Sequence, residues 1–221
     1  MTEMGEDIDG LEICPWVANK ETLGGLLRLM MDRRTGPSAD DPVAVLQAMC
    51  QVASYLRHAT AGFFARSDDG RIVGVCLVAS LTNGRLPDHG GWARREEELS
   101  GLLSSLVWWH DDVAPTLADI AEERELVRRV LASGLRPDAE ILLVAWNRPG
   151  VGRRLVAEVG RMAERRQWDT LFLVTDTTRD WRRCEDWGFE RVMSMPSHID
   201  LARLRVAYAI TLGGMPAAEG D

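Results

Sequence analysis

One lysine, Lys20, stands in a chain of 221 residues, so arginine supplies nearly all of the positive charge. That bias reads mainly as codon usage in a GC-rich genome. Cysteine is scarce and scattered. Cys14, Cys50, Cys76 and Cys184 make no CxxC pair and no Cys/His cluster, which suits reduced thiols better than a disulfide frame or a zinc site. No apolar run approaches the roughly 18–20 residues that cross a bilayer. The opening MTEMGEDIDG is acidic where a secretion signal is basic and then apolar. A cytoplasmic protein without a membrane partner is therefore expected. There is no basic stripe, and the net charge of −8 argues against a nucleic-acid partner. GxxxxGK[ST] and GxSxG are both missing, which excludes a P-loop and the elbow of a serine hydrolase.

What is present is ordinary for a soluble domain: 46% hydrophobic and 27% charged residues. The length suits a single domain over 1–221 with a substantial core. TLGGLLRLMMDRR (22–34) has helical apolar spacing behind Thr22 as N-cap, and Asp41-Pro42 opens a second helix with Val45, Ala48, Met49, Val52, Tyr55 and Leu56 as its stripe. TAGFFARS and RIVGVCLVASL read as strands joined by the hairpin signal Asp68-Asp69-Gly70. Two helices follow, about Arg94–Trp109 and Thr116–Gly134, forming a helical insertion at about 92–134. Then come the strand EILLVAWN, a glycine loop, the helix GRRLVAEVGRMAERRQ, the strand TLFLVTD, a short helix RDWRRCEDW closed by Gly188, and late strands ERVMSM and LARLRVAYAIT. This order predicts a mixed α/β fold with helices on the faces of one sheet.

The loop N-R-P-G-V-G-R-R (147–154) lies between a strand and a helix. Backbone N–H groups and the helix dipole converge there and favour an anion. Gly150 and Gly152 leave room for a phosphate to reach the main chain. Arg153 and Arg154, disfavoured in a first helical turn, gain from its charge. The dinucleotide fingerprint fits badly, since G-V-G-R-R-L lacks its third glycine.

The loop together with DTTRD, WRRCEDW and Gly188-Phe189 resembles the GNAT acyltransferase family, closely over about 138–192 and by strand order before that. The family's loop pattern is (Gln/Arg)-x-x-Gly-x-(Gly/Ala). The resemblance implies a mixed, mostly antiparallel sheet flanked by helices and acetyl-CoA as co-substrate, with no metal. It implies that Gly150, Val151, Gly152, Arg153 and Arg154 hold the pyrophosphate, and that Val144, Ala145 and Trp146 line the pantetheine arm. A backbone N–H near Val144 would polarise the thioester carbonyl. Glu140 stands where a branch of the family keeps its general base; the other reading is a solvated strand-end carboxylate. The chain departs from the pattern at three places. Asn147 replaces Gln or Arg, with Arg148 as a substitute one residue on. Thr177 stands where asparagine is common. Cys184 occupies the place of the tyrosine that protonates the leaving thiolate, and reads either as that acid or as an inert core residue.

The insertion carries VWWHDD (107–112). Trp108 and Trp109 beside His110, Asp111 and Asp112 suit a cationic amine, and residues 94–129 hold nine acidic and five basic side chains. One reading is a lid that selects an amine, with His110 as an alternative base. The other is packing tryptophans and solvated charge. The functional expectation is an N-acyltransferase enzyme acting on a small amine by direct transfer. The alternative is a catalytically inactive CoA-binding or interaction module on the same fold. A homodimer is expected from the resemblance alone.

Overall fold

The computed structural model describes residues 10–32, 41–178 and 182–212. Residues 33–34 of the expected first helix and 179–181 of the expected short helix lie outside them. The elements run β1 (Leu11–Pro15), α1 (Lys20–Asp32), α2 (Pro42–Leu56), β2 (Ala61–Ser67), β3 (Ile72–Ser80), α3 (Gly90–Leu106), α4 (Val113–Ala132), β4 (Ala139–Trp146), α5 (Val151–Arg166), β5 (Thr170–Asp176), α6 (Arg182–Asp186), β6 (Glu190–Pro196) and β7 (Leu204–Thr211). Among the described residues, no helix is long and apolar enough to cross a membrane.

Local chemistry sets the boundaries. Asn19, not Thr22, caps α1: the Thr22 N–H donates to Asn19 Oδ1 at 3.0 Å, and the Asn19 N–H returns a bond to Thr22 Oγ1 at 3.1 Å. This is a reciprocal box with threonine in the third helical position. Asp41 caps α2 as expected, its carboxylate accepting from the Val43 N–H at 2.9 Å. Gly70 turns the β2–β3 hairpin at φ 79°, a region that glycine enters freely.

The seven strands order as β1-β2-β3-β4-β5-β7-β6. Every neighbouring pair is antiparallel except β4 and β5. The helical insertion falls between β3 and β4, as expected. One core packs α5 against the sheet through Leu155, Val159 and Ile141. On the opposite face, α1 and α2 pack through Leu26, Leu29 and Val52 onto Leu77 and Leu143.

Two irregularities shape the centre of the sheet. Leu77 pairs with Leu143 and Val78 with Ile141, so Leu142 is an extra residue in β4. This bulge reverses the alternation of the strand. Ala139 and Ile141 face α5 before it; Leu142, Leu143 and Ala145 face α1 and α2 across and beyond it. The parallel β4–β5 ladder also stops early, joining only Ala139–Ile141 to Leu171–Leu173. Beyond that point β5 continues its pairing with β7 as far as Asp176, and a gap opens between β4 and β5.

Helix α4 is tied to the far side of the sheet by buried charge. Arg205 on β7, 1% exposed, donates to Asp119 Oδ1 at 2.6 Å and to Glu122 Oε2 at 3.3 Å. Arg203 bonds Asp119 at 2.8 Å and Asp176 at 2.7 Å. Glu122 also accepts from Ser197 Oγ and from the His198 N–H. Burial alone pushes the Glu122 carboxyl up, but these donors outweigh it and hold it below the usual range.

Candidate active site

The gap between β4 and β5 is a cleft of about 140 Å³. Val144 and Trp146 form its β4 side, Leu173 and Thr175 its β5 side, and Cys184 and Trp187 its end. Past Ile141, β4 has no ladder partner toward β5. The two strands diverge there, which leaves room between them for an extended amide-bearing chain. Trp146 and Trp187 lie 6.0 Å apart, tilted at 56°, and the Arg183 guanidinium sits 5.6 Å above the Trp146 ring. At the end of the cleft, Gly150 (φ 75°) turns the chain into α5, whose first turn has no side-chain cap. Its N–H groups suit a diphosphate, and Arg153 and Arg154 are exposed beside them. These residues fit coenzyme A.

Gly152 has a further reason to be glycine. A Cβ there would fall 2.9–3.1 Å from ring atoms of Trp146. The missing side chain makes room for the indole that lines the cleft.

On the other side of the bulge lies a second cavity of about 290 Å³ between α2, α4 and β4. Leu86, Ile120, Val127, Leu131 and Leu142 give it apolar walls. Glu140 lines it, 2% exposed, and Oε2 of its carboxyl has no hydrogen-bond partner. Burial first, and then the nearby Glu123 carboxylate, raise the Glu140 pKa well above the ordinary value. The solvated reading of Glu140 is thereby corrected, because sheet neighbours Ala79 and Phe172 flank it on both sides. His58 also lines this cavity. Its Nδ1 lies 2.6 Å from the Pro87 carbonyl, yet burial outweighs that contact and lowers its pKa, which favours a neutral ring.

Other expected residues lie elsewhere. Ala145 points into the α1/α2 core because the bulge shifts its parity. Arg148 lines a separate polar depression with Asp32, Asp69 and Arg71. Thr177 is bound to β7, its hydroxyl accepting from the Leu204 N–H at 3.0 Å. Trp108 and Trp109 are 89% and 81% exposed at the α3–α4 turn, and neither they nor His110 and Asp111 line the chamber or the cleft. Asp112 accepts from Gln47 Nε2 at 3.0 Å. The chamber instead takes α4 from Ile120 onward, and Glu123 lies about 16 Å further along the helix than Asp112 at ~1.5 Å per residue. The insertion does wall the chamber, but with the inner face of a helix rather than its aromatic tip. Tyr55 and Glu123 escaped sequence reasoning. The first passed as one of several stripe residues, the second as one acid among nine.

This architecture, with a splayed sheet between a bulged β4 and β5 and a glycine turn into α5, is the fold of the GNAT N-acetyltransferases. The sequence itself matches no family model and no curated protein. Among solved structures, a GNAT-family protein from Desulfovibrio desulfuricans superposes at TM-score 0.52 with 13% identity, covering 91% of this chain and 99% of that one. The ribosomal-protein-S18-alanine N-acetyltransferase from Escherichia coli matches at 0.50 with 10% identity, over 95% of this chain and 99% of the other. FeeM, an N-acyl amino acid synthase from uncultured soil microbes, matches at 0.50 with 15% identity, over 92% and 91%.

Proposed function

We propose that this chain is an acyl-CoA-dependent N-acyltransferase for a primary amine carried on a small apolar body, with acetyl-CoA as the donor to test first. The carrying observation is the pair of cavities that meet across the β4 bulge, one suited to an extended thioester and the other apolar with a carboxyl at its wall. A volume of about 290 Å³ is at the small end for ligand sites and corresponds to roughly ten waters' share of space. The Glu123 carboxylate attracts the amine as a cation. The raised Glu140 pKa suits it to remove the proton that the nitrogen sheds during attack. The walls exclude water and align nitrogen with carbonyl, so transfer proceeds directly. Arg124 and Arg128 at the rim are already engaged by Glu96 and Glu125, which leaves the apolar body as the main recognition element.

Calorimetric titration with acetyl-CoA tests the donor half. Thiol release with 2-phenylethylamine, hexylamine and spermidine tests the acceptor half. Expected are binding at or below millimolar ligand, turnover with the first two amines, and a loss of at least tenfold in Glu140→Gln. Absence of binding ends the proposal. Binding with silence across the panel favours a non-catalytic CoA-binding module.

A further inference from the structure

Three described residues line both the cleft and the chamber: Tyr55, Glu123 and Leu142. An acyl group passing from sulfur to nitrogen must do so where the two cavities meet. Cys184 lines only the cleft and Glu140 only the chamber. Leu142 has no proton to give. Tyr55, 7% exposed near the end of α2, donates its hydroxyl to Glu123 Oε2 at 3.5 Å, a length that suits a catalytic contact before substrate closes it.

From this junction we infer that Tyr55 is the acid that protonates the departing thiolate, with Glu123 as its positioning residue. The inference rests on the acyltransfer reading above. As the N–C bond forms, the C–S bond breaks and its electron pair leaves on sulfur. The Tyr55 hydroxyl delivers its proton there, and the phenolate regains one from the Glu123 carboxyl. The ammonium first gives up one proton to solvent so that a neutral amine attacks; the proton that nitrogen then loses goes to Glu140 and from Glu140 to Glu123. One proton thus travels from nitrogen to sulfur, and the products are an amide and free CoA. Cys184 then needs no catalytic role and serves as a wall. The ionisable groups around the two cavities, besides Tyr55, are Glu123, Arg124 and Arg128 from α4, His58 just past the end of α2, Arg85 from the segment after β3, Glu140 from β4, and Arg183 and Cys184 from α6.

The chain holds two tyrosines, which makes the test clean. Tyr208 lines neither cavity; burial and then Glu185 push its pKa up to about 12, and its hydroxyl donates to Glu185 at 3.3 Å. A Tyr208→Phe protein grown on fluorotyrosine therefore reports on position 55 alone.

Tyr55→Phe should bind CoA within about twofold of wild type, keep its KM for acetyl-CoA, and lose on the order of 10² or more in kcat with 2-phenylethylamine. Fluorotyrosine, a stronger acid, should move the alkaline limb of the rate profile to lower pH in Tyr208→Phe. Glu123→Gln removes a negative neighbour of the phenol and should move that limb the same way, while the KM for acetyl-CoA holds. A readout independent of any acceptor is the ultraviolet titration of bound CoA thiol. Near pH 8.5, the ordinary thiol value, its thiolate fraction should fall severalfold in Tyr55→Phe, while Cys184→Ala leaves it unchanged. Retained turnover in Tyr55→Phe, an unmoved limb, or an unaltered thiol titration overturns the inference. If CoA binds but no amine is acylated, the thiol titration still decides the role of Tyr55. If CoA does not bind, both readings fall.

Discussion

Replacing Gly152 with alanine adds one methyl group, and the structure indicates where it goes. It would sit 2.9 Å from Cε3 and 3.0 Å from Cδ2 of Trp146, where carbon pairs prefer about 3.5–4.0 Å. The indole must yield by roughly half an ångström or more. Trp187 and the Arg183 guanidinium restrict its retreat. Overpacking of this kind costs about 1–3 kcal/mol. Alanine returns up to about 1 kcal/mol through its better helix propensity. The net is a loss of about 0–2 kcal/mol, and a chain of this size loses ~2–4 °C of Tm per kcal/mol. Displacing the ring also narrows a cleft of only about 140 Å³. CoA affinity should therefore fall about tenfold, or ~1.4 kcal/mol. Calorimetry with CoA and thermal melting measure both effects. Trp146→Phe supplies the decisive background, because a smaller ring leaves space for the methyl. The two substitutions should couple by at least ~1 kcal/mol in a double-mutant cycle. An equal affinity loss from Gly152→Ala in both backgrounds would refute the reasoning and return the glycine to a role at the phosphate alone.

Two further outcomes concern stability against pH. Because the folded protein holds the Glu140 proton more tightly than the unfolded chain does, its contribution is complete below the unfolded value of ~4.3 and is lost as pH rises toward the folded pKa. Glu140→Gln should thus be more stable than wild type above neutrality, by on the order of 1 kcal/mol, with the difference closing near pH 4 in urea titrations; parallel pH curves would contradict this. Glu122 behaves oppositely, since its carboxyl is held low. Its stabilisation is present above ~4.3 and lost as acid titrates it, so Glu122→Gln should flatten the acid limb. Arg205→Met, which leaves Glu122 without a cation and Asp119 and Asp176 with Arg203 alone, should cost about 3–5 kcal/mol; a cost under 1 kcal/mol would show that the cluster is solvated.

Long periodic elements could be read from the sequence, as could the glycine turn into α5 and the closing Gly188. LEICP escaped because five residues ending in proline show too little alternation, and only pairing with β2 makes them a strand. The cap of α1 was misplaced because Asn19 and Thr22 are both good caps and the reciprocal bonds between them define one box. The β4 bulge was hidden in ILLVA, a run apolar on both faces, so the side of Ala145 could not be inferred. Tyr55 illustrates the main limit of the site. An aromatic on an apolar helical stripe carries no local mark of function, and its role arises only where α4, sixty-odd residues on, brings Glu123 within reach.

The fastening of α4 has a consequence of its own. A partition pinned from behind by Arg203 and Arg205 has little freedom to swing as a flap, so the vestibule beside Glu140 keeps its contour before any guest arrives. Choice among guests then rests on fit to that contour, and exchanging Ile120 or Val127 would retune it more directly than lengthening any loop.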